Sequence, residues 1–199
     1  MPCFPAAWAS NLADTSEVVQ AFYDACAGAG AERCALSSSS ATPVHVQRRV
    51  EALYNTVRTR PIPGFESGAG VYGVVDYSTL QQAFQDALYS PYDMFPDFAR
   101  ALAELESGNG TQILSRTRSA RSWCPTCDKP PRWNGYRVEA RLATMCTDGK
   151  PVRDSEEELL EHYRRLAKDS SFADIWAAFR LACRCVFIDM FMYGSTIGV

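Results

Sequence analysis

Apolar side chains recur at the spacing of an α-helix through most of this sequence, and this period limits the fold more than any other feature. Between Met94 and Leu105, for example, they fall at i, i+3, i+4 and i+7, which places them on one side of a helix. Comparable stripes occur in other segments, separated by breaks rich in glycine and proline. The sequence therefore predicts a mainly α protein with at most one or two short strands.

Capping residues mark where these helices begin. Thr42 followed by Pro43 is the clearest start, because a hydroxyl accepts from a free N–H and proline fits the first helical position. The other predicted starts are Asp14 with Glu17, Ser78 with Gln81, and Asp154 or Ser155. The predicted ends are Gly28 or Gly30, the residue before Pro61, Ser90-Pro91, and Gly108 to Gly110, with a last helix over about 172–183.

Three segments lack the helical period. Residues 60–73 are dense in proline and glycine and are predicted to form a loop. Residues 119–136, with Trp123, Pro130 and Trp133, are predicted to form an ordered loop. Residues 137–145 are the one predicted strand.

Length and composition exclude several classes of protein. A chain of 199 residues is long enough for one domain with its own core. The net charge of −3 shows no excess of Lys and Arg, so no electrostatic surface for nucleic acid is expected. No apolar run reaches the roughly 20 residues that span a bilayer. Neither nucleic acid nor a membrane is an expected partner.

Cysteines and a glycosylation acceptor sequence favour the secretory pathway. The chain has eight cysteines, and Asn109-Gly110-Thr111 is an acceptor for an N-linked glycan. Residues 1–9 are apolar but contain two prolines and no basic residue, so they do not make a signal peptide. We therefore expect a secreted parent protein and a chain without its leader; the alternative is a cytosolic protein with free thiols.

Two short motifs suggest cofactor chemistry but lack its context. Gly68 to Gly73 has the letters of a dinucleotide-binding loop, yet prolines precede it and Val74-Val75 follow, so a flexible loop is predicted. Cys124 and Cys127 have redox or zinc spacing, but no βαβ unit or matching second ligand pair accompanies them. Structural disulfides or unused thiols are the preferred interpretation, and neither a cofactor nor a metal is predicted.

Histidine is scarce, which limits hydrolytic chemistry. His45 and His162 are the only two, and each lies in a predicted amphipathic helix beside arginines, so both are predicted to be surface residues. No G-x-S-x-G elbow occurs; its nearest match, residues 194–198, has threonine at the nucleophile position. We predict no catalytic residue in this chain.

Three blocks of sequence resemble a known family of enzymes. They are Phe22 to Gly30 with Cys34-Ala35-Leu36; Val75 to Tyr77 through Leu88 to Pro91 and on to Ala99; and Ala143 to Gly149 with Ser170 to Phe172, Trp176 and Arg180 to Cys183. The first resembles the segment after the nucleophile half of tripeptidyl-aminopeptidase-like α/β-hydrolases. The second is similar to the helical lid of the fungal members, and the third to their Cys-x-Asp segment and a helix ending in cysteine. In order and spacing, the resemblance covers residues 8–185.

The resemblance implies a lid region without the catalytic triad. In that family the serine comes before this region and the acid and histidine come after it, and Asp148 matches an aspartate outside the triad. The implied partner is the remainder of an α/β-hydrolase domain, with short peptides or small esters and amides as the parent's substrates. Residues 186–199 depart from the family pattern, which suggests a truncated product or intron sequence read as coding, and we expect this tail to pack loosely.

Two disulfides and two alternative functions complete the expectations. Cys26 and Cys34 are predicted to pair across a glycine-rich turn, and Cys146 with Cys183, for which Cys185 competes. An independent helical binding module with a groove for a peptide or small ligand is the alternative to the lid. A zinc-stabilised domain is a third hypothesis.

Overall fold

The elements of the fold follow the apolar stripes of the sequence, with one β-hairpin added. The structure is a computed structural model that describes residues 9–67, 71–117, 136–147 and 152–194. After a 3-10 turn (Ala9–Leu12), the elements are α1 (Thr15–Ala29), α2 (Pro43–Thr59), β1 (Ile62–Glu66), β2 (Val71–Val75), α3 (Tyr77–Leu88), α4 (Pro91–Glu106), α5 (Thr111–Thr117), α6 (Tyr136–Thr147), α7 (Glu156–Asp169) and α8 (Ala173–Gly194). The predicted class, mainly α with one or two short strands, is confirmed. The chain divides into two units, residues 17–122 and residues 1–16 with 123–199.

An aromatic core holds together helices of the unit 17–122. Phe22 of α1 is 1% exposed. Its ring centroid lies 5.4 Å from that of Phe84 in α3, and 5.0 and 5.8 Å from those of Phe95 and Phe98 in α4. Tilted and edge-on rings at these distances add a specific attraction to the burial of apolar area. Phe22 is therefore the side chain through which α1, α3 and α4 meet.

An antiparallel hairpin of β1 and β2 stands where the sequence predicted a loop. Ile62 pairs with Val75 and Phe65 with Tyr72, so the prediction of an irregular segment over 60–73 was wrong. Pro63 is tolerated here because β1 is an edge strand of a two-stranded sheet, where a residue without an N–H can be accommodated. Its carbonyl oxygen accepts from the Gly110 N–H at 2.8 Å. The proline therefore marks a strand edge here and does not interrupt the strand.

Gly64 allows α5 to pack directly on the hairpin. A Cβ on Gly64 would lie 2.5 Å from the backbone N of Thr111 and 2.6 Å from the carbonyl carbon of Gly110. Gly110 is equally confined, since a Cβ there would lie 2.7 Å from Val75 Cγ2. These glycines are required by contact between the two elements and not by a turn.

Helix starts were predicted more accurately than the segments between helices. Thr42 and Ser155 cap α2 and α7 as predicted, and Gly30, with φ of 72°, follows α1. The cap of α3, however, is Asp76 and not Ser78 as predicted. The Asp76 carboxylate accepts from the Thr79 N–H at 2.8 Å. Helix α5 was not predicted at all.

Helix α6 replaces the one strand predicted in the second half of the chain. Leu142 is half-buried, and Met145 and Cys146 are buried, so they lie at i, i+3 and i+4 on one helical face. The segment is also rich in Ala, Arg, Leu and Glu, which favour helix over strand. The strand prediction for residues 137–145 was therefore wrong.

The unit of residues 1–16 and 123–199 has its own core. Trp176 and Phe172 are each 1% exposed, as is Leu12 of the 3-10 turn. The Thr15 and Ser170 hydroxyls lie 2.6 Å apart, so the start of α1 is fixed to the end of α7 within this unit. Helix α8 continues to Gly194 and does not end near Cys183 as predicted.

Both predicted disulfide pairs are bonded in the structure. Cys26 is joined to Cys34 across the turn that follows α1. Cys146 of α6 is joined to Cys183 of α8, where both cysteines cluster with buried Val152. Each bond closes a loop that the unfolded chain would otherwise leave open, which stabilises the fold by restricting that chain.

Several predictions fall on residues that the structure does not describe. They concern the chain start over 1–8, Gly68 to Gly70 of the glycine motif, the loop and the cysteine pair within 118–135, Asp148, and residues 195–199.

Candidate functional site

His45 is part of the first turn of α2. It is exposed, as predicted. Its Nδ1 lies 3.3 Å from the Thr42 backbone N and 3.3 Å from the Thr42 hydroxyl oxygen, in a capping box. This arrangement satisfies groups that the helix leaves unpaired at its N-terminus. His45 therefore has a structural role, and the hydroxyl beside it is a helix cap.

His162 lies on the buried side of α7, and the prediction that it is a surface residue was wrong. It is 8% exposed, whereas Leu160 and Tyr163 are 48% and 40% exposed. The apolar side predicted for α7 consists of Leu159, Leu160, Tyr163 and Leu166. The face that packs inward instead carries His162 and Leu166, with Leu159 half-buried. The charged neighbours of His162 in the sequence did not indicate its burial, because the packing of α7 against α8 determines which face of α7 is buried.

Burial changes the titration of His162. The pKa of His162 is lowered from 6.5, first by burial, then by the positive charges of Arg180 and Arg165; the Asp154 carboxylate opposes this. Asp154 itself accepts from Arg180 Nε at 2.5 Å and Nη2 at 3.0 Å. His162 Nε2 is buried without a hydrogen-bond partner among the residues that the structure describes. The neutral imidazole is therefore the form that the fold favours.

Acid is expected to destabilise the unit that contains α7 through His162. In the unfolded chain the imidazole takes up a proton as the pH falls below about 6.5, whereas folded His162 resists protonation. Its contribution is thus present above pH 6.5 and is progressively lost as the pH falls below that value. Urea unfolding followed by tryptophan fluorescence at several pH values measures this loss.

Two variants separate His162 from the other titrating groups. His162→Leu removes the titration and should flatten the dependence on pH below 6.5. His45→Gln keeps a side chain that can complete the capping box, and it should retain the pH dependence of the wild type. Equal slopes in the wild type and His162→Leu would contradict the assignment.

An acidic groove runs along α7 in the same unit. Glu157, Glu158 and Glu161 line it together with Asp154, and Arg165 and Arg180 oppose their charge. Within the described ranges, no group of three or more His, Cys, Asp or Glu side chains is placed to hold a metal ion. The groove is a solvated, partly compensated surface.

The glycosylation acceptor sequence starts α5. Asn109 is exposed, and its Oδ1 accepts from the Thr111 N–H at 3.0 Å. The Thr111 hydroxyl oxygen lies 2.9 Å from the Phe65 N and 3.4 Å from the Phe65 carbonyl oxygen. These residues therefore cap α5 and attach it to β1, and the glycan on Asn109 stays a prediction.

The outer face of the hairpin is an exposed apolar surface. Phe65 and Tyr72 form a cross-strand pair and are 72% and 75% exposed. Val74, opposite Pro63, is 53% exposed. We call Pro63, Phe65, Tyr72 and Val74, all of them exposed, the outer hairpin face. Contiguous exposed apolar side chains are typical of surfaces that contact another molecule.

Comparison with known proteins adds no assignment. No protein-family model matches the chain, and no curated protein or solved structure matches it. None of the helices that the structure describes is long and apolar enough to cross a membrane.

Proposed function

We propose that this chain is the lid region of a secreted serine hydrolase of exopeptidase type, similar to the tripeptidyl-aminopeptidase-like α/β-hydrolases. Its role in the parent protein would be to cover the active site and restrict access to short peptides or small esters and amides. The acyl-transfer chemistry would belong to the serine, acid and histidine of the parent's α/β domain.

The outer hairpin face carries this proposal. A lid must present apolar side chains to the hydrolase core or to the substrate beneath it, and such side chains are exposed when the lid is considered alone. Phe65 and Tyr72 meet that requirement on a hairpin held rigidly against α5. The mainly helical fold is also in keeping with a lid inserted into an α/β-hydrolase.

The disulfides support the secreted part of the proposal. Disulfides persist in oxidising compartments and are rare in the cytosol. Cys26–Cys34 and Cys146–Cys183 are both buried, at 5% exposure or less, so they serve structure and not redox exchange. A glycan on Asn109 would agree with the same compartment.

Sequencing of full-length transcripts tests the proposal most directly. A lid requires a G-x-S-x-G elbow encoded upstream of this region and a histidine-bearing strand downstream. Transcripts that contain both elements in frame are the expected result. Transcripts from the native gene that end with this chain and encode no elbow before it would overturn the proposal.

The chain alone is expected to show no hydrolytic turnover. Acyl transfer needs a serine activated by an oriented histidine and a pair of donors for the oxyanion. His45 caps a helix and His162 is buried, so neither is placed to act as the base. Purified residues 1–199 should therefore neither react with a fluorophosphonate probe nor cleave short peptide p-nitroanilides.

One pattern of labelling would contradict this expectation. Stoichiometric modification of a single serine, abolished in both His45→Ala and a folded His162→Ala variant, would reveal a complete active site. Circular dichroism of each variant establishes that loss of labelling is not loss of fold.

A further inference from the structure

A cavity of about 450 Å³ lies within the unit 17–122. It is bounded by the C-terminal half of α2, the end of α4 and the first residues of β1. Arg49 and Leu53 reach it from α2 and Arg60 from the C-cap of that helix, and Ile62, Leu105 and Glu106 reach it from the other elements. Cavities of this size hold small organic molecules.

The charges that line this cavity do not cancel. The Arg49 Nε donates to Glu106 Oε1 at 2.9 Å, and a second hydrogen bond joins Arg49 Nη2 to Glu106 Oε2. This pair is bidentate, so both charges are satisfied. Arg60 has no carboxylate partner among the residues that the structure describes. One guanidinium is therefore left to bind an anion.

The remaining wall of the cavity is apolar. Ala52, Pro61 and Pro63 line it and are exposed, whereas Leu53, Leu105 and Ile62, which also line it, are buried. An inorganic anion on Arg60 would leave this wall in contact with water. A ligand with an apolar body would cover it and gain the free energy of burying that area. The lining thus suits a molecule with a charged end and an apolar end.

We propose that this cavity binds a small organic carboxylate with an apolar body, held by Arg60 at its carboxylate. The planar guanidinium matches a carboxylate with two parallel hydrogen bonds. An N-acylated apolar amino acid and the C-terminal residue of a peptide both have this chemistry. The site lies entirely within one unit, so it stands independently of the lid proposal.

The test compares two probes that differ only at the carboxylate. N-acetyl-leucine and N-acetyl-leucinamide are titrated into residues 1–199 and followed by NMR chemical shifts. Because a hydrogen bond to a charged group is worth more than a neutral one, the acid should bind about tenfold more tightly or better. Arg60→Gln should abolish this preference.

Arg48→Gln is the matched control. Arg48 lies in α2, the helix that Arg60 follows, and it is exposed but does not line the cavity. Its replacement removes the same net charge and should leave the preference for the acid intact. Equal loss in both variants would show a general charge effect and overturn the site, as would equal binding of acid and amide by the wild-type protein.

Further probes distinguish the source of the carboxylate. A tripeptide ending in leucine, compared with its C-terminal amide, reports whether a peptide terminus fits; binding of N-acetyl-leucine alone identifies a free small acid. Either outcome supports the carboxylate site. Inorganic phosphate that displaces N-acetyl-leucine with equal affinity would overturn the requirement for an apolar body.

Discussion

Phe22→Ala is expected to lower the free energy of unfolding of the unit 17–122 by about 4 kcal/mol, because a buried phenylalanine leaves a large cavity when it is truncated. The Phe22 ring contacts those of Phe84, Phe95 and Phe98, so α1, α3 and α4 all lose packing at one point. Urea unfolding followed by far-ultraviolet circular dichroism measures the change.

Phe65→Ala is the control for the same chemical substitution. Phe65 is 72% exposed, and truncation of an exposed side chain usually changes stability by less than about 0.5 kcal/mol. A comparable loss in both variants would mean that the Phe22 cluster is not the core of this unit.

Gly64→Ala is expected to cost about 3 kcal/mol, at the upper end of the usual range for an overpacked site. The new Cβ would lie 2.5 Å from the Thr111 N and 2.6 Å from the Gly110 carbonyl carbon. Both are backbone atoms, so neither can rotate away as a side chain would. Thermal unfolding of the variant should show this loss together with a shifted Thr111 amide resonance.

Gly28→Ala is the control for Gly64→Ala, and it is expected to change the free energy of unfolding in the opposite direction. Gly28 lies inside α1, and no atom outside its own helical turns lies within 4 Å of a Cβ built there. Alanine should therefore stabilise the helix by roughly 0.5 to 1 kcal/mol. Stabilisation by both substitutions would show that α5 does not pack against Gly64 in solution.

Several of the helices, α2 and α7 among them, were predictable because the residues that specify them lie close together in the sequence. The Thr42-Pro43 start of α2 and the Ser155 start of α7 are each read from a few adjacent residues. The stripe from Phe98 to Leu105 likewise needs no knowledge of its partners, since its period alone specifies a buried face.

The hairpin was not predictable by the same means, because Gly64 is required by its contact with α5, which lies more than 40 residues further along the chain. Gly64 in isolation indicates a turn, and only the position of Thr111 shows why a side chain is excluded there. The burial of His162 is also decided by another helix. These residues are placed by contacts between segments far apart in sequence, which periodicity does not record.

The candidate binding site has the same origin. In the sequence, Arg49 lies within α2 and Arg60 follows the helix as its C-cap. Their difference in role does not appear there, because Glu106 is supplied by α4 and satisfies only one of them. Which arginine is available to a ligand is therefore a property of the packed structure.

The close fit between α5 and the hairpin also governs how this region opens. A seven-residue helix is too short to persist alone, and two five-residue strands are marginal as an isolated hairpin. Each supplies hydrogen bonds that the other needs, through Thr111 and Gly110. The two elements should therefore exchange their amide protons as one cooperative group, with a single opening free energy and no intermediate in which either survives without the other.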